Sequence, residues 1–413
     1  MSNNSKNCAV ILAGGQGKRM KSDLPKPMFE VLGLPMLDWA IRACEDAGIT
    51  DICVVTGFNH EVIEKHLDGK YHTVFQPQRM GTGHAVMMTI DWLKERADGN
   101  VLILNGDAPF IDKDTILGAL SLHEEKNNAV TVITAELDNP YGYGRHDDGI
   151  YGIVEEKDAT PEQKKIKEIN SGAYWFGVEK LIYALGEIKP NNSQGEYYLT
   201  DSVYILISAK FRADAYISSN SDAVLGANDR KGLLLLNNTA RFAIIERLMD
   251  EGVEFTCTDG VTIGRDVKVG KGTTIMQGVI LKGNTVIGEN CKIGPNCIIE
   301  NCTVGDGVTL NSVQAYDSEI EDSAKVGPFV QIRPGSRICK GVKIGDFVEI
   351  KNSVIGENTA VAHLTYVGDS DVGSGVNFGC GVVTVNYDGE KKFRTVIGDD
   401  AFIGCNTNLV APV

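Results

Sequence analysis

Ile263-Gly-Arg-Asp-Val-Lys-Val269-Gly-Lys-Gly-Thr-Thr-Ile275-Met-Gln-Gly-Val-Ile-Leu281-Lys-Gly-Asn-Thr-Val-Ile287-Gly-Glu-Asn-Cys-Lys-Ile293-Gly-Pro-Asn-Cys-Ile-Ile299 puts an apolar residue at every sixth position without a break. A strict six-residue period is the signature of a solenoid in which each hexapeptide forms one face of a triangular coil. The apolar side chain points to the axis, and the small residue after it lies where the chain turns the corner. The apolar-glycine pair returns at Val304-Gly305, Val326-Gly327, Ile344-Gly345, Ile355-Gly356, Val367-Gly368, Val372-Gly373, Ile397-Gly398 and Ile403-Gly404. The second half of the chain is therefore expected to be a left-handed parallel β-helix. Chance recurrence of such pairs in an ordinary β-sandwich is remote over this length.

Working outward, the repeat fades before about residue 252, and Lys231 to Asp250 reads as a helix ending at Gly252. Leu235, Phe242, Ile245 and Leu248 are available for its apolar face. The chain of 413 residues thus divides into 1–230, a linker helix at 231–252, and the solenoid at 253–413. The first part alternates strand and helix: Cys8 to Leu12, a helix from about Met36 to Ala47, Ile52 to Val55, and Val101 to Leu104. This is the pattern of a Rossmann-like, mostly parallel sheet flanked by helices. The run at Val101 ends in Asn105-Gly106-Asp107, at the carboxyl edge of the sheet where ligands of open α/β folds bind.

The formal charge of −15 and pI near 5.0 exclude nucleic acid and anionic membranes as main partners, since like charges repel. Phosphorylated substrates then require local cations. No apolar stretch reaches the roughly 18 to 20 residues that span a bilayer, and the N-terminus carries no secretory pattern, so a cytoplasmic location is expected. The ten cysteines include no C-x-x-C pair, which argues against a zinc site and against a disulfide framework. Cys291, Cys297 and Cys302 read as ordinary side chains of the repeat.

The motif Leu12-Ala13-Gly14-Gly15-Gln-Gly17-Lys-Arg19-Met20, followed by Asp23-Leu-Pro-Lys26-Pro27, comes directly after the first strand. Its glycines let backbone N–H groups approach a polyphosphate, and Arg19 and Lys26 can neutralise it. It is neither a Walker loop nor a dinucleotide fingerprint. Asp107 is a natural magnesium ligand beside such phosphates, although an isolated loop aspartate more often caps a turn. Manganese accepts the same oxygen ligands.

These residues, together with Gln76, Gly81-Thr82-Gly83-His84, Gly142-Tyr-Gly144-Arg145, Ile153-Val-Glu155, Glu168-Ile-Asn170 and Gln194-Gly-Glu-Tyr-Tyr-Leu-Thr-Asp201, resemble the motifs of sugar-nucleotide pyrophosphorylases. With the solenoid, the chain resembles, from about residue 8 to its last residue, the bifunctional enzymes that join a UDP-N-acetylglucosamine pyrophosphorylase to a glucosamine-1-phosphate acetyltransferase. The resemblance implies an α/β nucleotidyltransferase domain followed by the β-helix. It also implies acetyl transfer from acetyl-CoA to glucosamine-1-phosphate, then uridylyl transfer from UTP to N-acetylglucosamine-1-phosphate with release of pyrophosphate, feeding cell-wall, peptidoglycan and lipopolysaccharide precursors. Leu12, Ala13, Gly14, Gly15, Lys26, Gln76, Gly81 and Thr82 would bind the nucleotide. Gly144, Glu155 and Asn170 would bind the N-acetylglucosamine moiety, Asn228 would also bind substrate, Asp107 and Asn228 would hold Mg2+, and Arg19 and Lys26 would stabilise the growing negative charge.

In the solenoid, Ala362-His363-Leu-Thr-Tyr366 and the interruption between Gly381 and Val396 depart from plain repeat. Acetyl transfer to an amine needs a base, and imidazole titrates in the right range. By resemblance His363 is that base, Arg333 and Lys351 bind the phosphate, Tyr366 and Asn377 the sugar, and Asn386 and Tyr387 shape the site. Cys380 and Cys405 stand at acetyl-CoA positions, where relatives have alanine and serine. The resemblance implies a homotrimer with the site shared between neighbouring solenoids. The chain stops in mid-repeat at Leu409-Val-Ala-Pro-Val413, where the family continues through further coils, so it is expected to be truncated there; Lys18 replaces a small hydroxyl residue. Two alternatives stand beside this reading. One is a single-activity sugar-1-phosphate nucleotidyltransferase with a trimerising solenoid, against which His363 and the interrupting loop argue. The other is a non-catalytic interaction protein of the same architecture, which has no need of Arg19, Lys26, Asp107 and Asn228 together.

Overall fold

The computed structural model describes residues 6–138, 140, 145–146, 153–154, 159–192 and 194–413. The chain forms two compact units, Met1–Thr239 and Ala240–Val413. The first is built on strands β1 (Asn7–Leu12), β2 (Ile52–Thr56), β3 (His72–Phe75), β4 (Asn100–Asn105), β5 (Val130–Glu136), β6 (Glu168–Gly177) and β7 (Ala213–Ile217). They lie in the order β7-β5-β6-β4-β1-β2-β3. All neighbours run parallel except β6, which is antiparallel to both β4 and β5. Successive side chains of a strand face opposite ways, and both faces here are covered. Cys8, Val10, Val101, Ile103, Val130, Val132, Tyr174 and Phe176 enter one apolar core. Ala9, Ile11, Leu102, Leu104, Ile133, Ala173 and Trp175 enter the other. That burial on two sides explains the near-continuous apolar runs of the sequence.

The β6 orientation lies outside what apolar runs encode, because a buried strand reads alike in either direction. Between Asn170 and Ala173 its register with β5 shifts by a bulge, with Gly172 at φ +77. A side chain at Gly172 would lie 2.2 Å from the Asn105 amide, so glycine lets the bulge close onto the end of β4.

The helix Arg230–Asp250 carries the chain into the second unit. Leu236, Ala240, Ile244, Ile245 and Leu248 are its buried residues, whereas Leu235 and Phe242 are exposed. The expected apolar face was thus half misplaced. Leu235 and Phe242 sit about 140 to 160 degrees round the helix from the middle of the Leu236–Ala240–Ile244 stripe, and a four-leucine run, Leu233 to Leu236, leaves the phase ambiguous in sequence.

In the second unit, strands of two to four residues stack into three parallel sheets of nine, nine and eight strands, a left-handed β-helix. One coil is three hexapeptides, so Thr262 pairs with Ile280 and Thr274 with Lys292. Ile263, Val269, Ile275, Leu281, Ile287, Ile293 and Ile299 are all buried and pass from sheet to sheet in rotation. Each such side chain contributes about 1.5 to 3 kcal/mol of burial. The corners bring backbones together: a Cβ on Gly270 would stand 2.6 Å from the carbonyl carbon of Gly288 in the next coil. Cys291, Cys297 and Cys302 are buried and unpaired; burial pushes their thiols up, that of Cys302 to about 11, as expected of structural thiols.

Candidate active sites

In the first unit, two adjoining cavities open at the carboxyl edge of the sheet. One, of 420 Å³, is lined by Gly14, Gly15, Gln76, Arg79, Gly81, Gln194, Glu196 and Tyr198 among others. The other, of 240 Å³, is lined by Ala108, Asn170, Ser171, Gly172, Tyr174, Thr200, Gly226 and Asn228 among others. Leu12, Lys26, Thr82, Asn105 and Asp107 line both, so the two form one groove with a shared waist.

Lys26 occupies the waist. Its ammonium donates to Asn228 Oδ1 at 2.8 Å and forms an ion pair with Asp107 Oδ2. These are the two oxygens expected to hold a metal, and a cation already sits on them. The backbone N–H of Lys26 donates to Gly15 O at 3.1 Å, which fixes the lysine beneath the glycine loop. Gly14 leaves room for Gln76: a Cβ there would lie 3.1 Å from Gln76 Oε1. Gln76 is buried and its amide N donates to Gly81 O at 3.2 Å and meets His84 Nδ1 at 3.0 Å. Gly81 has φ 103 and ψ 174, in a region open essentially to glycine alone. Over that turn the segment 194–201 is fastened, with Tyr197 N–H donating to Met80 O and Gly83 N–H to Tyr197 O, both at 2.8 Å. Leu199 N–H donates to Thr82 Oγ1 at 3.1 Å.

At the far end Asn170 donates from Nδ2 to the Tyr174 hydroxyl at 2.6 Å and accepts from Gly172 N–H at 3.1 Å, so its amide is oriented by the bulge. Ala13 is buried behind the loop, its N–H donating to Val55 O at 2.8 Å. The structure therefore gathers Leu12, Gly14, Gly15, Lys26, Gln76, Gly81, Thr82, Asp107, Asn170 and Asn228 around one groove. Arg19 is not among the lining residues: it is exposed on the turn Lys18–Met20, where its charge helps hold the Asp229 carboxyl low, after the hydrogen bond from Gly232 N–H. Gly144 and Glu155 lie outside the described residues. Arg79, unremarked in the sequence, lines the groove and donates to Gln16 Oε1 at 3.1 Å. Its signal was present, since it falls between Gln76 and Gly81.

In the second unit, Arg333, Lys351 and Tyr366 share one face of the solenoid, because Ile332, Ile350 and Val367 are stacked register partners. Arg333 donates to Glu349 Oε1 at 2.9 Å, and Lys351 Nζ is 3.3 Å from Asp369 Oδ2. Asp369 also accepts from Asn352 Nδ2 at 2.7 Å, and from Asn386 Nδ2. Burial alone would raise the Asp369 carboxyl, yet the hydrogen bonds from Asn352, Lys351 and Asn386 outweigh it and hold it below the ordinary range. Lys392, from the interrupting loop, lies near enough to Lys351 that the neighbouring lysine pushes its ammonium down. The loop is clamped at both ends, by Asn386 on Asp369 and by Arg394 on Asp371. Tyr387, mostly exposed, bridges to Lys392 across the loop.

His363 stands at a corner, Nδ1 3.5 Å from Asp346 Oδ1, with a largely exposed side chain. Asn377 belongs to the same sheet as His363, opposite Ala360, and so lies on a different face from Lys351 and Tyr366. Cys380 and Cys405 are exposed and follow the paired strands Asn377–Phe378 and Phe402–Ile403; Asn406 N–H donates to Cys380 O at 2.8 Å. Asp369, Glu349 and Lys392 escaped the sequence reading, because charged residues of a solenoid and its loops look like their many solvated counterparts.

Among the described residues no three His, Cys, Asp or Glu side chains converge as a metal site, and no helix is long and apolar enough to cross a membrane. A two-lobed groove with a pinned lysine at its waist, followed by a hexapeptide solenoid with its own cationic cluster, defines a two-part transferase. The nucleotidyl transferase family model matches residues 8–221, and that of the bacterial transferase hexapeptide, six repeats, matches 284–312 and 317–352. The chain is 47% identical over 409 residues to the bifunctional protein GlmU of Acetivibrio thermocellus, covering 98% of this chain and 88% of that one. It is 46% identical to that of Pelotomaculum thermopropionicum, covering 98% and 89%, and 43% identical to that of Streptococcus uberis, covering 98% and 90%. The chain belongs to the GlmU family.

Proposed function

We propose that residues 1–230 carry the uridylyltransferase site in the groove around Lys26, and residues 253–413 the acetyltransferase site around Lys351 and His363, with 231–252 linking them. The protein is a bifunctional enzyme of UDP-N-acetylglucosamine synthesis. It transfers acetyl from acetyl-CoA to glucosamine-1-phosphate and uridylyl from UTP to N-acetylglucosamine-1-phosphate.

The observation that carries the first site is the bridge of Lys26 to Asp107 and Asn228 at the waist of the groove. The uracil end of UTP lies against Gln76, Gly81 and Thr82, and the acetylated sugar against Asn170 and, by resemblance, Gly144 and Glu155. The sugar phosphate oxygen attacks the α-phosphorus in line and pyrophosphate departs, so the protein's task is positioning and charge stabilisation. The lysine ammonium on Asp107 and Asn228 stands in for a cation, so these two oxygens fit Mg2+ or Mn2+ with substrate phosphates completing the shell. Such an ion, when bound, neutralises phosphate charge as the leaving group develops. Lys26 then meets the transferring phosphate from the glycine-loop side, and exposed Arg19 meets the outer phosphates from solvent.

In the second site Arg333 and Lys351 bind the sugar phosphate, Tyr366 the sugar, and Asn386 and Tyr387 shape its wall. His363 takes the ammonium proton of glucosamine-1-phosphate, leaving a free amine to attack the thioester carbonyl; the C–S bond breaks, and the coenzyme A thiolate leaves as the thiol with the proton the nitrogen sheds, while Cys380 and Cys405 line the acetyl-CoA approach. The placement of Asn377 on a separate face from Lys351 supports a homotrimer in which neighbouring solenoids complete the site. Its substrates, UTP and acetyl-CoA, fit a cytoplasmic enzyme.

Parallel assays of pyrophosphate release and of thiol release from acetyl-CoA test the reading. Asp107→Ala abolishes the first and spares the second, and His363→Ala does the reverse. Nucleotide-sugar synthesis by Asp107→Ala at the wild-type rate refutes the metal assignment.

A further inference from the structure

Asp369 occupies a corner of the solenoid at φ +48, joined to the coils on either side by its backbone: its N–H donates to Lys351 O at 2.9 Å and its carbonyl accepts from Thr395 N–H at 3.1 Å. Corner geometry alone accounts for a small polar residue there. Asp317 holds the equivalent corner three coils earlier, also at positive φ; it is exposed and takes a hydrogen bond from Asn301. Asp369 differs in that its side chain is 7% exposed and its two oxygens receive Asn352, Lys351 and Asn386. A buried carboxylate is costly unless every lone pair is used. Here it gathers Lys351 and Asn352 from the preceding coil and Asn386 from the start of the 386–394 loop.

We propose that Asp369 is a positioning residue of the acetyltransferase site, holding the Lys351 ammonium and the Asn386 amide in the arrangement that receives the phosphate of glucosamine-1-phosphate. Its negative charge also balances the Lys351 ammonium within the site. Without it, a half-buried lysine faces a second cation unpaired and swings away, and Asn386 loses the anchor of its loop. Asp369 acts through Lys351 and touches no reacting atom. The inference rests on the assignment of Lys351 to the sugar phosphate.

The test is steady-state acetyl transfer by the full chain in Asp369→Asn, Lys351→Ala and the double variant. Asp369→Asn raises KM for glucosamine-1-phosphate about 10- to 100-fold, the loss of a charge-assisted hydrogen bond. KM for acetyl-CoA and the rate of pyrophosphate release stay at wild-type values. In the Lys351→Ala background the same change adds about twofold or less, since a residue acting through another has nothing left to position. Asn352→Ala, which removes one donor to Asp369 and leaves its charge, raises the same KM by about threefold, in line with one ordinary hydrogen bond, and keeps the test open if Asp369→Asn folds poorly. Full additivity with Lys351→Ala, or equal losses in both KM values, overturns the proposal and leaves Asp369 a corner residue. An unchanged glucosamine-1-phosphate KM in Lys351→Ala overturns the phosphate-site assignment and this inference with it.

Discussion

Gly81→Ala tests whether the turn under segment 194–201 shapes the nucleotide groove. Gly81 sits at φ 103 and ψ 174, and a Cβ there would lie 2.5 Å from Tyr197 O and 3.0 Å from Tyr197 N. Holding a non-glycine residue in that region costs about 1 to 3 kcal/mol. Relieving the overlap moves Tyr197 and strains two 2.8 Å hydrogen bonds, Tyr197 N–H to Met80 O and Gly83 N–H to Tyr197 O, each contributing about 0.5 to 1.5 kcal/mol. The sum is about 2 to 6 kcal/mol, so the specificity constant for UTP falls by about 30-fold at the least, at roughly tenfold per 1.4 kcal/mol. The assay is pyrophosphate release against UTP concentration, with thiol release from acetyl-CoA as the control for an intact solenoid. Gly33→Ala separates strain from collision: Gly33 has φ +81 with nothing near a new Cβ, so it costs stability alone. An unchanged UTP specificity constant in folded Gly81→Ala refutes the argument that the Gly81–Tyr197 contact sets the groove.

Further outcomes follow from burial and charge. His123 is buried, meets Thr131 Oγ1 at 3.0 Å, and burial depresses it from 6.5 to about 4. The unfolded chain therefore takes up this proton first as pH falls, and the stability the neutral ring contributes above pH 6.5 is lost toward pH 4. Between pH 7.5 and 5 the loss is about 2 kcal/mol; denaturant unfolding of His123→Gln shows a correspondingly flatter pH dependence, and an equal slope removes the assignment. Ile350→Ala, fully buried between the stacked Ile332 and Val367, destabilises the solenoid by about 2 to 5 kcal/mol, read as a lower unfolding midpoint. A chelator stops pyrophosphate release and spares acetyl transfer if Asp107 and Asn228 hold the metal; undiminished release contradicts it.

The solenoid was legible because its period is a property of the backbone: one buried side chain per face, repeated until chance is excluded, as Ile263 through Ile299 show. The strands of the first unit were legible for a similar reason, both faces being apolar. Phase and direction were less so. Leu233 to Leu236 read alike from any side of a helix, and Leu235 proved exposed; Glu168–Gly177 proved antiparallel. Of the groove, the glycine loop and Asp107 could be read from local chemistry, whereas Gln76, Asn170 and Asn228 are unremarkable amides that acquire meaning by converging from distant segments. Asp369 was hidden altogether, since what distinguishes it from Asp317 is burial and partners.

The two halves solve one electrostatic problem alike. A chain of net charge −15 repels phosphate at long range, so each site must hold cations where the phosphate lands. A free lysine would supply charge but lose side-chain entropy on binding, whereas a lysine pinned by an aspartate has already lost it. Lys26 is pinned by Asp107 and Lys351 by Asp369. The pairing sacrifices part of the net attraction; in the second half Lys392 near Lys351 restores it, and in the first, on the function proposed, a divalent ion taken by Asp107 and Asn228 would replace the Lys26 ammonium there and release it to the phosphate. On the function proposed, pinning matters most where the phosphate must be held in one orientation, in line with an attacking oxygen in the first half and with its amine beside a base in the second. Each aspartate is thus worth more to geometry than to charge, which is why the neutral isostere Asp369→Asn, leaving shape intact and removing the ion pair, is the sharper probe of the second site than any truncation of Lys351 itself.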